Sequence, residues 1–161
     1  MGWRPSRDAH GPLPVPLIDT SAWIEYLRKT GSDTNTEMRN VLAKRHHICD
    51  AVTMEILSGA RDEAHAKNLK RLLSRAIVIE TKPIDYHNAA TIYRACRQVG
   101  VTVRTQIDCL IAAIAIRTNT PLLHQDAVFT AISQITKLKM HTASKYLFQV
   151  QPLFFAATKF C

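Results

Sequence analysis

Apolar positions along the chain fall into two alternating kinds of segment. Short runs rich in leucine and β-branched residues have the length and content of buried strands: VPLID (Val15–Asp19), HHICDA (His46–Ala51), IVIE (Ile77–Glu80) and PLLHQ (Pro121–Gln125). Longer stretches between them carry helical spacing. In TSAWIEYLRKT the apolar positions are Trp23, Ile24 and Leu27, and Thr20 or Ser21 can cap the first turn. TNTEMRNVLAKR predicts a second helix, and residues 52–76 predict two more with a break at Ser58–Gly59. Pro83 opens a helix that Gly100 closes. TQIDCLIAAIAIRTN is the most apolar helix, DAVFTAISQI is the last, and LKMHT predicts a final strand.

The order β-α-α-β-α-α-β-α-α-β-α-β predicts an α/β fold. A central, mostly parallel sheet of four to five strands should carry helices on both faces, in three layers. The predicted domain covers residues 15–142. Residues 1–14, proline-rich and without an apolar run, are expected to be a disordered leader. Residues 143–161 form an apolar, patternless tail to which the pattern assigns no role. There are no internal repeats, and no GxGxxG or GxxxxGK[ST] loop supports a nucleotide cradle.

Composition narrows the class. A chain of 161 residues with 47% apolar content is one domain with a proper core. Lys and Arg number 21 against 13 Asp and Glu, a net charge of +8, which favours polyanions such as nucleic acid. The four cysteines form no CxxC pair and no zinc-spaced cluster with histidine; Cys49 and Cys109 read as small buried hydrophobes. No segment reads as a signal peptide or a bilayer span, so a cytoplasmic protein without membrane contact is expected.

Four acids sit against core-type residues rather than on solvated faces: Asp19, Glu55, Asp108 and Asp126. Asp19 ends the first strand, and Asp126 follows the fourth. Glu55 comes just after the second strand, and Asp108 starts the most apolar helix. In a parallel sheet these places share one edge, the carboxyl ends of the strands, where such folds put their sites. Carboxylates brought together there repel and need a counter-ion. A hard divalent cation, Mg²⁺ or Mn²⁺, suits an all-oxygen set; zinc does not. Taken singly, each acid is more often a helix cap or a dipole partner.

The segments LIDTSAWIEYL, TMEILSGA, VRTQIDCLIAAIAI and PLLHQDAVFTAI, in this order, closely resemble the PIN-domain ribonucleases, and most of all the VapC toxins of type II toxin–antitoxin systems. The resemblance spans about Val15 to Thr142. It implies a PIN-like fold and a Mg²⁺- or Mn²⁺-dependent endoribonuclease. It further implies a homodimer, inhibition by a VapB-type antitoxin, and products with a 5′-phosphate and a 3′-hydroxyl. It carries catalytic and metal-binding roles onto Asp19, Glu55, Asp108 and Asp126, with Thr20 or Ser21 at a supporting polar position. One departure stands out. Many relatives carry a further acid two residues after the last one, where this chain has Val128, which leaves one metal or two an open question.

Arg104, four residues before Asp108, is the first choice for the RNA backbone; Lys44, Arg45, Lys70 and Arg71 are further candidates, although such residues more often form a solvated helix face. His46, His47 and His124 read as structural, and Trp23 and Tyr26 as packing rather than base platforms. Glu25 reads as exposed. Other roles compete: a housekeeping RNA-processing nuclease without an antitoxin, a catalytically weak module that only binds RNA or antitoxin, and a phospho-acceptor receiver domain. The last lacks the second acid expected beside the first strand.

Overall fold

The computed structural model describes residues 14–141. The expected leader, all but Pro14, and the whole expected tail lie outside the described residues. Eleven elements follow in order: β1 (Leu17–Ile18), α1 (Thr20–Arg28), α2 (Asp33–Leu42), β2 (His47–Cys49), α3 (Asp50–Ser58), α4 (Glu63–Leu73), β3 (Ile77–Ile79), α5 (Pro83–Gln98), α6 (Gln106–Arg117), β4 (Leu122–Leu123) and α7 (Ala127–Ile135). The alternation read from the sequence is therefore present, in a three-layer α/β/α arrangement. The predicted final strand is the exception. Around LKMHT only an isolated parallel bridge forms, Leu122 to Met140, flanked by backbone bonds of Leu122 and His141.

All four strands are parallel, in the order β3-β2-β1-β4. Leu17 pairs with His47 on one side and with Leu122 on the other, so β1 lies at the centre. Leu17, Ile18, Leu122 and Leu123 are buried because helices cover both faces of these strands. β3 is the edge, and there Val78 is 59% exposed.

Local signals explain the helix ends. Asp19, Ser32, Asp62, Thr105 and Asp126 each accept a backbone N–H of the helix they precede. Pro83 opens α5 as predicted; the helix ends at Gln98, and Gly100, at φ +76°, lets the Val101 N–H return to the Cys96 carbonyl at 2.9 Å. α6 is buried from Cys109 through Ala115, so its apolar residues run continuously instead of keeping one face. It packs on α5, α3 and α7. Trp23 is fully buried, as expected, whereas Ile24 and Leu27, read as part of the same apolar face, are 38% and 40% exposed.

Two side-chain contacts, an ion pair and a histidine–carboxylate hydrogen bond, tie distant segments. Arg117, ending α6, binds Asp85 of α5 through Nε at 2.7 Å and Nη2 at 2.9 Å. His141 Nε2 meets Glu37 Oε1 of α2 at 2.9 Å. Cys49, Cys96 and Cys109 are buried free thiols.

Candidate active site

The parallel sheet sends every strand toward the same edge, and three of the four acids follow directly from that. Asp19 is the residue after β1, and its backbone N–H donates to the Leu123 carbonyl at the end of β4. Asp126 caps α7 just beyond β4, accepting the Val128 N–H at 2.9 Å. Glu55 lies on α3, which begins directly after β2. Asp108 arrives differently, in the first turn of α6.

Hydroxyls on α1 link these groups. The Thr20 hydroxyl donates to Glu55 Oε2 at 2.5 Å. The Ser21 hydroxyl donates to Asp19 Oδ2 at 2.5 Å and accepts the Gln125 N–H at 2.9 Å. The Ser21 N–H adds a second bond to the same carboxylate oxygen at 2.8 Å. Each of the two hydroxyls thus holds a different acid of the candidate set.

Electrostatics bring all four acids into one field. Burial pushes the Asp108 carboxyl up to about 7, and repulsion from Asp19, Asp126 and Glu55 adds to the rise. Burial also raises Asp19, and the Ser21 bonds partly offset it. Direct clustering is a different matter. Among the described residues, no three His, Cys, Asp or Glu side chains stand close enough together to hold an ion as placed. Glu55, Asp19 and Asp126 each commit an oxygen to a local donor on or beside a helix start.

The remaining candidates separate cleanly. Val128 is partly buried against the core, so its side chain serves packing where relatives were expected to carry an acid. His46 is buried edge-on to Trp23, His47 contacts the Val15 carbonyl, and His124 tilts against Phe129. Glu25 is not simply exposed: its carboxylate accepts the Thr30 and Ser32 hydroxyls and fixes the α1–α2 connection. Arg104 is exposed and lines a groove of about 670 Å³ between α5 and the start of α6, with Tyr86, Tyr93 and Arg94. Sequence reasoning missed this groove; its signal was two tyrosines seven residues apart on one face of α5.

Known proteins carry the same framework. The PIN-domain family model matches residues 17–135. Ribonuclease VapC11 of Mycobacterium tuberculosis and VapC ribonuclease Mb1587 of Mycobacterium bovis are each 47% identical over 127 residues, covering 76% of this chain and 95% of the relative. The chain belongs to the PIN-domain family, among the VapC ribonucleases. In solved structures this PIN fold resembles VapBC2 of Rickettsia felis, described as bound to a DNA fragment from its promoter. The TM-score there is 0.62 at 17% identity, over 78% of this chain and 96% of that one. No helix among the described residues of the PIN domain is long and apolar enough to cross a membrane.

Proposed function

We propose that this VapC-type PIN domain is the toxin of a type II toxin–antitoxin pair: an endoribonuclease that cuts RNA phosphodiester bonds. A VapB-type antitoxin would hold it in check in the cytoplasm, and it would act as a homodimer. The observation that carries the reading is the raised proton affinity of Asp108. It arises first from burial of the carboxyl and then from repulsion by Asp19, Asp126 and Glu55, which three other segments bring toward the same sheet edge. That field fits a dication, and the donors are all oxygen, as Mg²⁺ or Mn²⁺ prefers.

Asp19, Glu55, Asp108 and Asp126 would hold the ion, which supplies when bound a Lewis acid for the phosphate and a more acidic water. The chain's own groups prepare the rest. Thr20 fixes one oxygen of Glu55, and Ser21 fixes Asp19 against the end of β4. Those bonds limit how the two carboxylates can turn. One of the four carboxylates would accept the proton released by the attacking water. Arg104 contacts the RNA backbone beside the α6 start, where phosphate contacts position the strand without reading its sequence.

A purely binding role is favoured by one observation, the packing of Val128 where an acid was expected. Cleavage of RNA with Mg²⁺ or Mn²⁺, run beside Asp19→Asn, decides between them. Loss of product in the variant supports the nuclease; equal product from both sinks it.

A further inference from the structure

The groove between α5 and α6 carries exposed groups, Tyr86, Arg94 and Arg104, that packing within this domain does not require. Tyr86 is 60% exposed on the first turns of α5, and Tyr93 follows two turns later on the same face. That spacing sets them about 10 Å apart along the helix. Ile107 and Leu110 of α6 form the opposite apolar wall. Arg94 and Arg104 line the same groove, and neither has a carboxylate partner among the described residues. Tyr93 is half-buried against the core while Tyr86 stands exposed, and apolar walls carrying these two phenol rings and two unneutralised guanidinium groups suit a ligand with flat faces and negative charge.

Position narrows the ligand further. Thr105, Gln106 and Ile107 line the groove, and the same first turn of α6 carries Asp108, so the groove lies beside the turn that presents one of the acids. A volume of about 670 Å³ lies within the range of small-molecule sites and accommodates one or two nucleotides.

We infer that the α5–α6 groove is a base-stacking subsite that seats unpaired nucleotides of the RNA flanking the cut, with bases on Tyr86 and Tyr93 and phosphates at Arg94 and Arg104. The inference rests on the nuclease reading and adds to it where the flanking strand lies. Stacking accepts any base because every base has a flat face, so the subsite selects single-stranded structure rather than a particular letter. An acidic centre repels a phosphate backbone. Cations placed to one side of it hold the strand while leaving the centre itself free for the dication.

The test measures binding separately from cleavage. The full chain is titrated, in EDTA, against a fluorescent 12-nucleotide single-stranded RNA of mixed sequence. Tyr86→Ala and Tyr93→Ala should each weaken binding roughly tenfold, while Tyr93→Phe, which keeps the ring, should bind as wild type. Arg104→Ala should lower the slope of affinity against salt by about one. Ultraviolet irradiation of RNA carrying 5-iodouridine should give crosslinks at Tyr86 or Tyr93, a readout on the unaltered protein that holds even if an alanine variant fails to fold.

Unchanged affinity in folded alanine variants, or crosslinks that all map elsewhere, overturns the proposal. So does a change in sedimentation with RNA affinity intact, which would make the groove a contact between copies of the chain. Failure of the nuclease reading is a separate result: Asp19→Asn would then cleave as well as wild type, whatever the groove binds.

Discussion

The Thr20 hydroxyl donates to Glu55 Oε2 at 2.5 Å, joining the first turn of α1 to α3 across 35 residues of sequence. A hydrogen bond to a carboxylate is stronger than a neutral one, and here its main effect is orientation. Thr20→Val keeps the shape and removes the donor. Its kcat for RNA cleavage should fall roughly tenfold, with stability within about 1 kcal/mol of wild type. Thr20→Ser should recover most of the loss. Measured kcat equal in all three proteins would show that Glu55 needs no such hold.

Ser21 serves two partners at once, so its loss should register in stability as well as activity. Ser21→Ala takes a hydroxyl donor from a buried carboxylate and an acceptor from the Gln125 N–H. Urea unfolding should show a cost of about 1–2 kcal/mol. The expected loss is larger than for Thr20→Val, and a smaller one would contradict the buried setting of Asp19.

Stability of the metal-free protein should depend on pH through Asp108. Its carboxyl is raised from the ordinary 3.8 to about 7, so between those values the folded chain holds a proton that the unfolded chain has released. Stability attributable to Asp108 therefore falls as pH rises through this window and stays low above it. Asp19, raised by burial, acts in the same direction. His46 and His124, whose pKa values burial lowers from 6.5, act in the opposite direction, destabilising the fold as pH falls. The comparison that isolates Asp108 is wild type against Asp108→Asn in EDTA. The variant should gain relative Tm as pH goes from 4 to 8. Adding Mg²⁺ at pH 8 should raise the wild-type Tm and leave the variant nearly unmoved.

The pair Asp85–Arg117 is structural, and its removal should separate folding from catalysis. Asp85 is fully buried, so Arg117→Leu strands a carboxylate in the interior and should cost about 3 kcal/mol or more. The double variant with Asp85→Asn should regain part of that. At temperatures where it remains folded, its kcat should match wild type.

Much of the fold was legible because its signals are local. Proline at the start of α5 and glycine at Ser58–Gly59 act over a few positions; the cap of α1, expected at Thr20 or Ser21, falls on Asp19, whose side chain accepts the Ser21 N–H. The strands were located but drawn too long: Val15–Asp19 narrows to Leu17–Ile18, since ladder pairing depends on neighbours the sequence does not display. Among the described residues of LKMHT, which end at His141, the pairing is a single bridge to Leu122 for the same reason.

The acids were legible for a topological reason: parallel strands deliver their ends to one edge, whatever lies between. How each carboxylate is held was not. The division of labour between Thr20 and Ser21, one turned to Glu55 and the other to Asp19 and Gln125, depends on where α3 and β4 sit against α1. The α5–α6 groove also needs both helices in place. Tyr86 and Tyr93 look like ordinary surface residues until Ile107 and Leu110 face them.

The strand order β3-β2-β1-β4 also bears on how such a chain is made. Asp19 is synthesised early, yet one of the two sheet neighbours of β1 is the last strand, β4, and Asp126 comes later still. A growing polypeptide therefore passes most of its synthesis with an unfinished centre. A copy that stops before β4 lacks both a sheet partner of β1 and Asp126, so the edge that gathers the four acids is completed only when nearly the whole described domain has been made.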